Sequence, residues 1–198
     1  MTKTLCFALF GLAIVILPLR AAFSAEDDLS GFTLRQLDTA ITKSGLASQK
    51  IYSILTFDSD ERHGADIAIL SGSSSGWRVT VLQRVSGGLE VQWRSGKLPY
   101  DLAVSSSNNL NIEDMDDGEQ VVEFSGCAAH LCGGLDGVIG VLLYSPRSKQ
   151  VFFAHYHYDE SKPLGTFGSL NFSKNTSMPG YKKYKTALQK AVSEILDQ

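Results

Sequence analysis

From Lys50 to Phe172 the chain alternates between short apolar segments and turn signals, and no other feature narrows the fold as much. Ile51, Ile54, Leu55 and Phe57 mark a first strand, and Ala65–Leu70 a second. Ser71–Gly76 reads as a small-residue turn. Trp77–Arg84 alternates apolar and polar residues, the period of a half-buried strand. Gly87-Gly88 turns it into Leu89–Arg94, which alternates again. Leu110–Ile112 and Gln120–Phe124 flank the turn signal Asp117-Gly118, and Val138–Tyr144 and Gln150–Tyr158 flank Ser145–Lys149. Strands joined by tight turns pair antiparallel, because a parallel pair needs a long crossover.

A helical pattern stands on each side of these strands. Thr33-Leu34-Arg35-Gln36 fits a capping box, in which the Thr hydroxyl and the Gln side chain satisfy each other's backbone amides. Leu34, Leu37, Ala40 and Ile41 then share one face, and Gly45 offers a stop. Pro179-Gly180 marks entry to a second helix, with Tyr181, Tyr184, Leu188, Ala191, Val192 and Ile195 at helical spacing. Lys182, Lys183, Lys185 and Lys190 cover its other side, which reads as a solvated face. The expected class is α+β: an antiparallel β-sheet with N-terminal and C-terminal helices.

The N-terminus sets the compartment. One charge at Lys3, an apolar run from Leu5 to Leu19 and the small residues Ala21–Ala25 make the three-part layout of a secretory signal peptide. The run is short for a hydrocarbon core of about 30 Å, and Pro18 interrupts it near its end. Residues 1–25 are therefore assigned to a leader and 26–198 to one α+β domain, periplasmic or secreted, with no membrane association after cleavage. Removing the leader takes Lys3 and Arg20 from the 18 basic residues and none of the 21 acidic ones, so the net charge moves from −3 to −5. That balance disfavours nucleic acid and anionic lipid and suits a basic partner. Cys6 leaves with the leader. Cys127 and Cys132 remain, and in an oxidising compartment a disulfide is the default.

Three patterns carry possible chemistry. Asp114, Asp116, Asp117 and Gly118 suggest a calcium loop, but counting back from the glycine puts Met115 at a ligand position, so a polar hairpin turn fits better. His155 and His157 occupy alternate strand positions and share a face, yet two histidines lack the third ligand that a metal site needs. Cys127, His130 and Cys132 supply three zinc ligands with His155 or His157 as a fourth, but paired thiols suit the compartment better. A haem attachment would need His directly after the second Cys, where Gly133 stands. A nucleophilic Cys needs a free thiolate and a base. No acid/base pair, metal set or nucleophile constellation emerges, so the expectation is a non-enzyme with no metal and no cofactor. What remains is a disulfide-closed loop displaying His130, bracketed by Gly126, Gly133 and Gly134. Such a loop loses little entropy on docking, so contact energy becomes affinity. On spacing alone it reads equally as a probe for another protein's cleft or as a stapled hairpin end.

The stretch Ser125-Gly126-Cys127-Ala128-Ala129-His130-Leu131-Cys132-Gly133, followed by the apolar strand Val138–Tyr144 and a Lys149-containing turn, resembles the Ivy family, the periplasmic inhibitors of vertebrate (c-type) lysozyme. That family carries Cys-Lys-Pro-His-Asp-Cys followed by Gly and an apolar strand. Both cysteines, the His and the Gly match in position. Ala128-Ala129 stands for Lys-Pro, and Leu131 for Asp. The resemblance covers Glu119–Ser173 and extends to the C-terminal helix, so 119–198 is lysozyme-inhibitor-like and 26–118 is an unmatched helix-plus-strands half. It implies that His130 enters a lysozyme cleft and bonds to its two carboxylates, with Cys127 and Cys132 as the clamp and Ala128, Ala129 and Leu131 as the rest of the inhibitory loop. The implied partner is a c-type lysozyme or another basic protein, steered by the net negative charge.

Overall fold

A computed structural model describes residues 32–59, 64–73, 76–98, 109–127, 137–158 and 168–196. Helix α1 (Leu34–Lys43) leads into strands β1 (Lys50–Phe57), β2 (Asp66–Ser73), β3 (Gly76–Val85) and β4 (Gly88–Arg94). Strands β5 (Leu110–Asp114), β6 (Gln120–Cys127), β7 (Gly137–Ser145), β8 (Gln150–Tyr158) and β9 (Gly168–Phe172) follow, and a short 3-10 turn precedes helix α2 (Lys182–Leu196). The class is α+β as expected. The strands, however, form two antiparallel sheets in simple sequence order, β1-β2-β3-β4 and β5-β6-β7-β8-β9.

Three apolar cores stack the molecule into four layers. Leu37, Ala40 and Ile41 of α1 pack on Ile51, Ile54, Ile67, Ile69 and Leu82 of the first sheet. The opposite face of that sheet, with Phe57, Ala68, Leu70, Val79 and Val81, meets Leu110, Val122, Phe124 and Tyr144 of the second. The outer face of the second sheet, with Val121, Ile139, Val141, Leu143, Phe152 and Ala154, takes Tyr184, Leu188, Ala191 and Val192 of α2. Each of the large aliphatic and Phe side chains among these contributes about 1.5–3 kcal/mol when fully buried, which is why both helices stay docked.

This layering corrects the half-buried reading of Trp77–Arg84. Val79, Thr80, Val81 and Leu82 are all buried, because both faces of β3 are covered. Thr80 occupies a core position on the helix side, where its polarity mimicked a solvent face. The small-residue turn is shorter than Ser71–Gly76: β2 continues to Ser73 and β3 starts at Gly76. A side chain at position 72 would collide with the Trp77 ring, at 2.6 Å from its nearest carbon, so the glycine is there to admit the indole. Leu34, placed on the buried face of α1 by its spacing, is 66% exposed. It is the first residue of the helix, and the buried residues of that face begin at Leu37. The capping box forms as predicted, with Thr33 N–H donating to Gln36 Oε1 at 2.9 Å and Gln36 N–H to Thr33 Oγ1 at 3.2 Å. Gly45 adopts φ +70° just after the helix, a conformation glycine reaches without strain.

Candidate functional site

The five-stranded sheet has two unlike ends. At one, Asp114 pairs with Gln120 and Ser145 with Gln150, so β5–β6 and β7–β8 are joined by tight turns. At the other lie the start of β5, the end of β6, the start of β7, the end of β8 and the start of β9. Cys127 pairs there with Ile139, Gly137 with Tyr158, and Tyr158 with Gly168. Residues 99–108, 128–136 and 159–167 all join the described chain at this second end. Strand β6 reaches it because Ser125, Gly126 and Cys127 continue the ladder past Phe124, where the apolar pattern stops.

The predicted loop is rooted at that end. Cys127 is the last residue of β6. Ala128, Ala129, His130, Leu131 and Cys132 lie outside the described residues, as does the leader. The pairing of Cys127 with Ile139 makes the intervening segment a β6–β7 hairpin connection, as the strand–loop–strand reading requires.

His155 and His157 approach the same end along β8. They share a face with Phe153, which is 42% exposed and meets the His155 ring edge-to-face at 5.2 Å. His155 is half-buried and His157 exposed. Burial, helped by the neighbouring His157, holds the His155 pKa below its ordinary value. Their partners across the ladder are Gly140 and Asn171 for His155, and Val138 and Ser169 for His157. Among the described residues, no group of three or more His, Cys, Asp or Glu side chains is placed to hold a metal ion.

The opposite end carries a polar cluster that the sequence reading treated as two unrelated features, a hairpin turn and a lysine face. Met115–Glu119 does form the turn, with Gly118 at φ +75° and its N–H donating to the Met115 carbonyl at 2.8 Å. Glu119, its side chain 2% exposed, accepts hydrogen bonds from Lys183 at 2.5 Å, from the Tyr184 hydroxyl at 2.8 Å and from Ser145. Asp117 accepts from Lys183 and Arg147, each at 2.8 Å. Burial alone would raise the Glu119 pKa, but the donors from Lys183, Ser145 and Tyr184 outweigh it and hold the carboxylate below its ordinary value. Lys183 is pushed up by the same contacts against the opposing effect of burial. Lys183 is therefore the anchor of α2 rather than part of a solvated face. Lys190 is likewise engaged, with Glu113 at 2.7 Å. Every polar side chain of this cluster is spent on another, which marks it as a clamp between α2 and two turns.

No family model, curated protein or solved structure matches the chain.

Proposed function

We propose that the chain is an exported, non-enzymatic binding protein that presents the 127–132 loop to another protein, with the active-site cleft of a c-type lysozyme as its target. The observation that carries this reading is the rooting of the loop. Its two flanking strands are central in a sheet covered by α2 on one side and by the first sheet on the other. Cys127 and Gly137, the described residues on either side of the loop, are held by that body, and fixed ends lower the ordering cost of contact. Function is commonly carried by connecting segments on a rigid scaffold.

The Cys-x-x-His-x-Cys spacing supplies the target. An imidazole can bond to one protonated and one ionised carboxylate, the pair that a glycosidase of this kind uses. The charge of −5 after loss of the leader favours encounter with a strongly basic enzyme. Loss of the family's Lys-Pro and Asp leaves the histidine and the clamp as the recognition elements. Among the described residues, no helix is long and apolar enough to cross a membrane.

The test is lysis of bacterial cell walls by a c-type lysozyme titrated with mature protein, beside the His130→Ala variant. Inhibition by the wild type at micromolar protein, lost in the variant, supports the reading. No inhibition, or an equally potent variant, ends it.

A further inference from the structure

The charge of the mature chain is unevenly spread. Residues 161–193 carry six lysines and no acidic residue. The rest of the mature chain holds 10 basic and 21 acidic residues, a charge of −11. The net −5 that disfavours an anionic surface is thus the sum of a basic segment and a strongly acidic remainder.

The fold gathers part of that segment on one flank. Strand β9 is the edge of its sheet, and a 3-10 turn (Lys174–Ser177) and the start of α2 follow it. Lys185 Nζ lies 5.0 Å from the centre of the Phe172 ring, at the end of β9. Lys182 sits one turn earlier on the same helix face, and Lys174 follows Phe172 by two residues. Lys174 and Lys182 are exposed. The ion pairs of α2 engage Lys183 and Lys190, and among the described residues none engages Lys174, Lys182 or Lys185. Asp117 and Glu119 are matched by Lys183 and Arg147, and their turn joins β5 to β6 at the other side of the sheet.

An apolar tip stands among these lysines. Residues 177–180 are all exposed, and Met178 is 54% exposed. The tip is held by the fold. Asn175 Nδ2 donates to the Val151 carbonyl at 2.8 Å, and the buried Thr176 hydroxyl to the Ser173 carbonyl at 2.7 Å. The Tyr181 N–H donates to the Met178 carbonyl at 3.1 Å. A thioether displayed in water on a tied turn adds nothing to the core.

We propose that this flank is a docking surface for a bilayer bearing anionic phospholipid headgroups. Met178 and Pro179 reach the headgroup–acyl boundary, and Lys174, Lys182 and Lys185 lie among the phosphates. The complementarity is local: at physiological salt the field falls off within about 8 Å, so the distant acidic remainder is screened while the contacting lysines are not. Each lysine near such a surface strengthens partition about fivefold. A soluble polyanion would match the lysines equally but would leave the methionine in water, whereas a bilayer buries it. The flank is separated from β6 by two strands of the sheet, so it stands or falls apart from the 127–132 loop.

Flotation of the whole mature protein with phosphatidylcholine vesicles, with and without about one-third phosphatidylglycerol, tests the surface. The protein should float with the anionic vesicles only, and about 0.5 M salt should release it. K174Q, K182Q and K185Q together should weaken partition ~100-fold, and M178S about fivefold. The pair R35Q and K43Q, on exposed positions of α1, should leave partition unchanged. All variants should keep the wild-type Tm within about 3 °C, because the replaced groups lie at the surface. No flotation with anionic vesicles would overturn the proposal, and capture of soluble polyglutamate in its place would make the flank a site for acidic polymers. A triple variant that floats like the wild type, an unmoved M178S, or an equal loss in the α1 pair would overturn it as well.

Discussion

At one end of the five-stranded sheet the β5–β6 and β7–β8 turns are short, and Glu119, Lys183, Tyr184 and Ser145 bond them to α2. At the other end the strands open into residues 99–108, 128–136 and 159–167, and the Cys and His pattern falls among them. At the first end Glu119, Asp117, Lys183, Tyr184 and Ser145 satisfy one another. The second end is where the sequence places its unusual residues. The difference also divides the mutational expectations: changes at the closed end cost stability, and changes at the open end cost binding.

The largest effect should come from Lys183→Met. It leaves the Glu119 carboxylate buried without its cation, a loss of about 3 kcal/mol in urea unfolding. Adding Glu119→Gln should return part of that loss, because the stranded charge disappears. A loss below about 1 kcal/mol would mean that the cluster is ordinary surface pairing and would erase the contrast. The clamp also has a pH signature. Glu119 titrates below its ordinary 4.5 when folded, so its contribution is present above that value and fades as pH falls through the folded pKa. Stability should therefore drop on acidification through the closed end. Lys183→Met should flatten that drop, as read by denaturant midpoints below pH 5.

Next in size is loss of the disulfide. Cys127→Ser with Cys132→Ser should cost about 2 kcal/mol if the pair closes its short loop, and reduction of the wild type should cost the same. At the closed end, Gly118→Ala sits at φ +75° and should cost about 1 kcal/mol from backbone strain alone. Doubling the 159–167 connection with Gly and Ser should cost only about 0.6 kcal/mol, because closure entropy grows slowly with length. If the insertion proves more damaging than Gly118→Ala, the open end is as tightly built as the closed one.

Much of the fold was legible because its signals are local. The capping box at Thr33, the stop at Gly45 and the α2 face from Tyr181 to Ile195 depend on residues close in sequence, and they appear where the pattern puts them. The β3–β4 turn falls one residue earlier than Gly87-Gly88, at Ser86-Gly87, with Gly88 already paired to Val85. What the pattern hid is long-range. One sheet was expected and two are present, because alternation reports which side of a strand is apolar and not which layer covers it. Thr80 and Ser71 are fully buried polar residues that a one-sided reading assigns to solvent. Strand β9, which the pattern does not mark, alternates over only four residues, with Ser169 and Asn171 exposed and Leu170 and Phe172 turned to the α2 side. The Glu119–Lys183 contact joins residues 64 apart, so neither turn nor helix announces it. The Cys-x-x-His-x-Cys spacing could be placed at a sheet end only once β6 and β7 were known to be neighbours.

The smallest expected change in stability belongs to His130→Ala, and it is the sharpest use of the contrast between the two ends. If the loop is a recognition element rooted in a finished scaffold, the imidazole contributes to a complex and not to the fold. The variant should unfold within about 0.5 kcal/mol of the wild type, the range of a surface change. Its inhibition of lysozyme should fall at least ~100-fold, the loss of close to 3 kcal/mol typical of a central contact in an interface. The outcome that separates the alternatives is the pairing of the two numbers. A stability loss with unchanged binding would make the histidine part of a stapled hairpin end. Losses in both would make the loop a structural part of the open end, and the division of labour between the ends would fail. Binding lost with stability kept is the one pairing that requires a histidine presented by the scaffold and used by the partner.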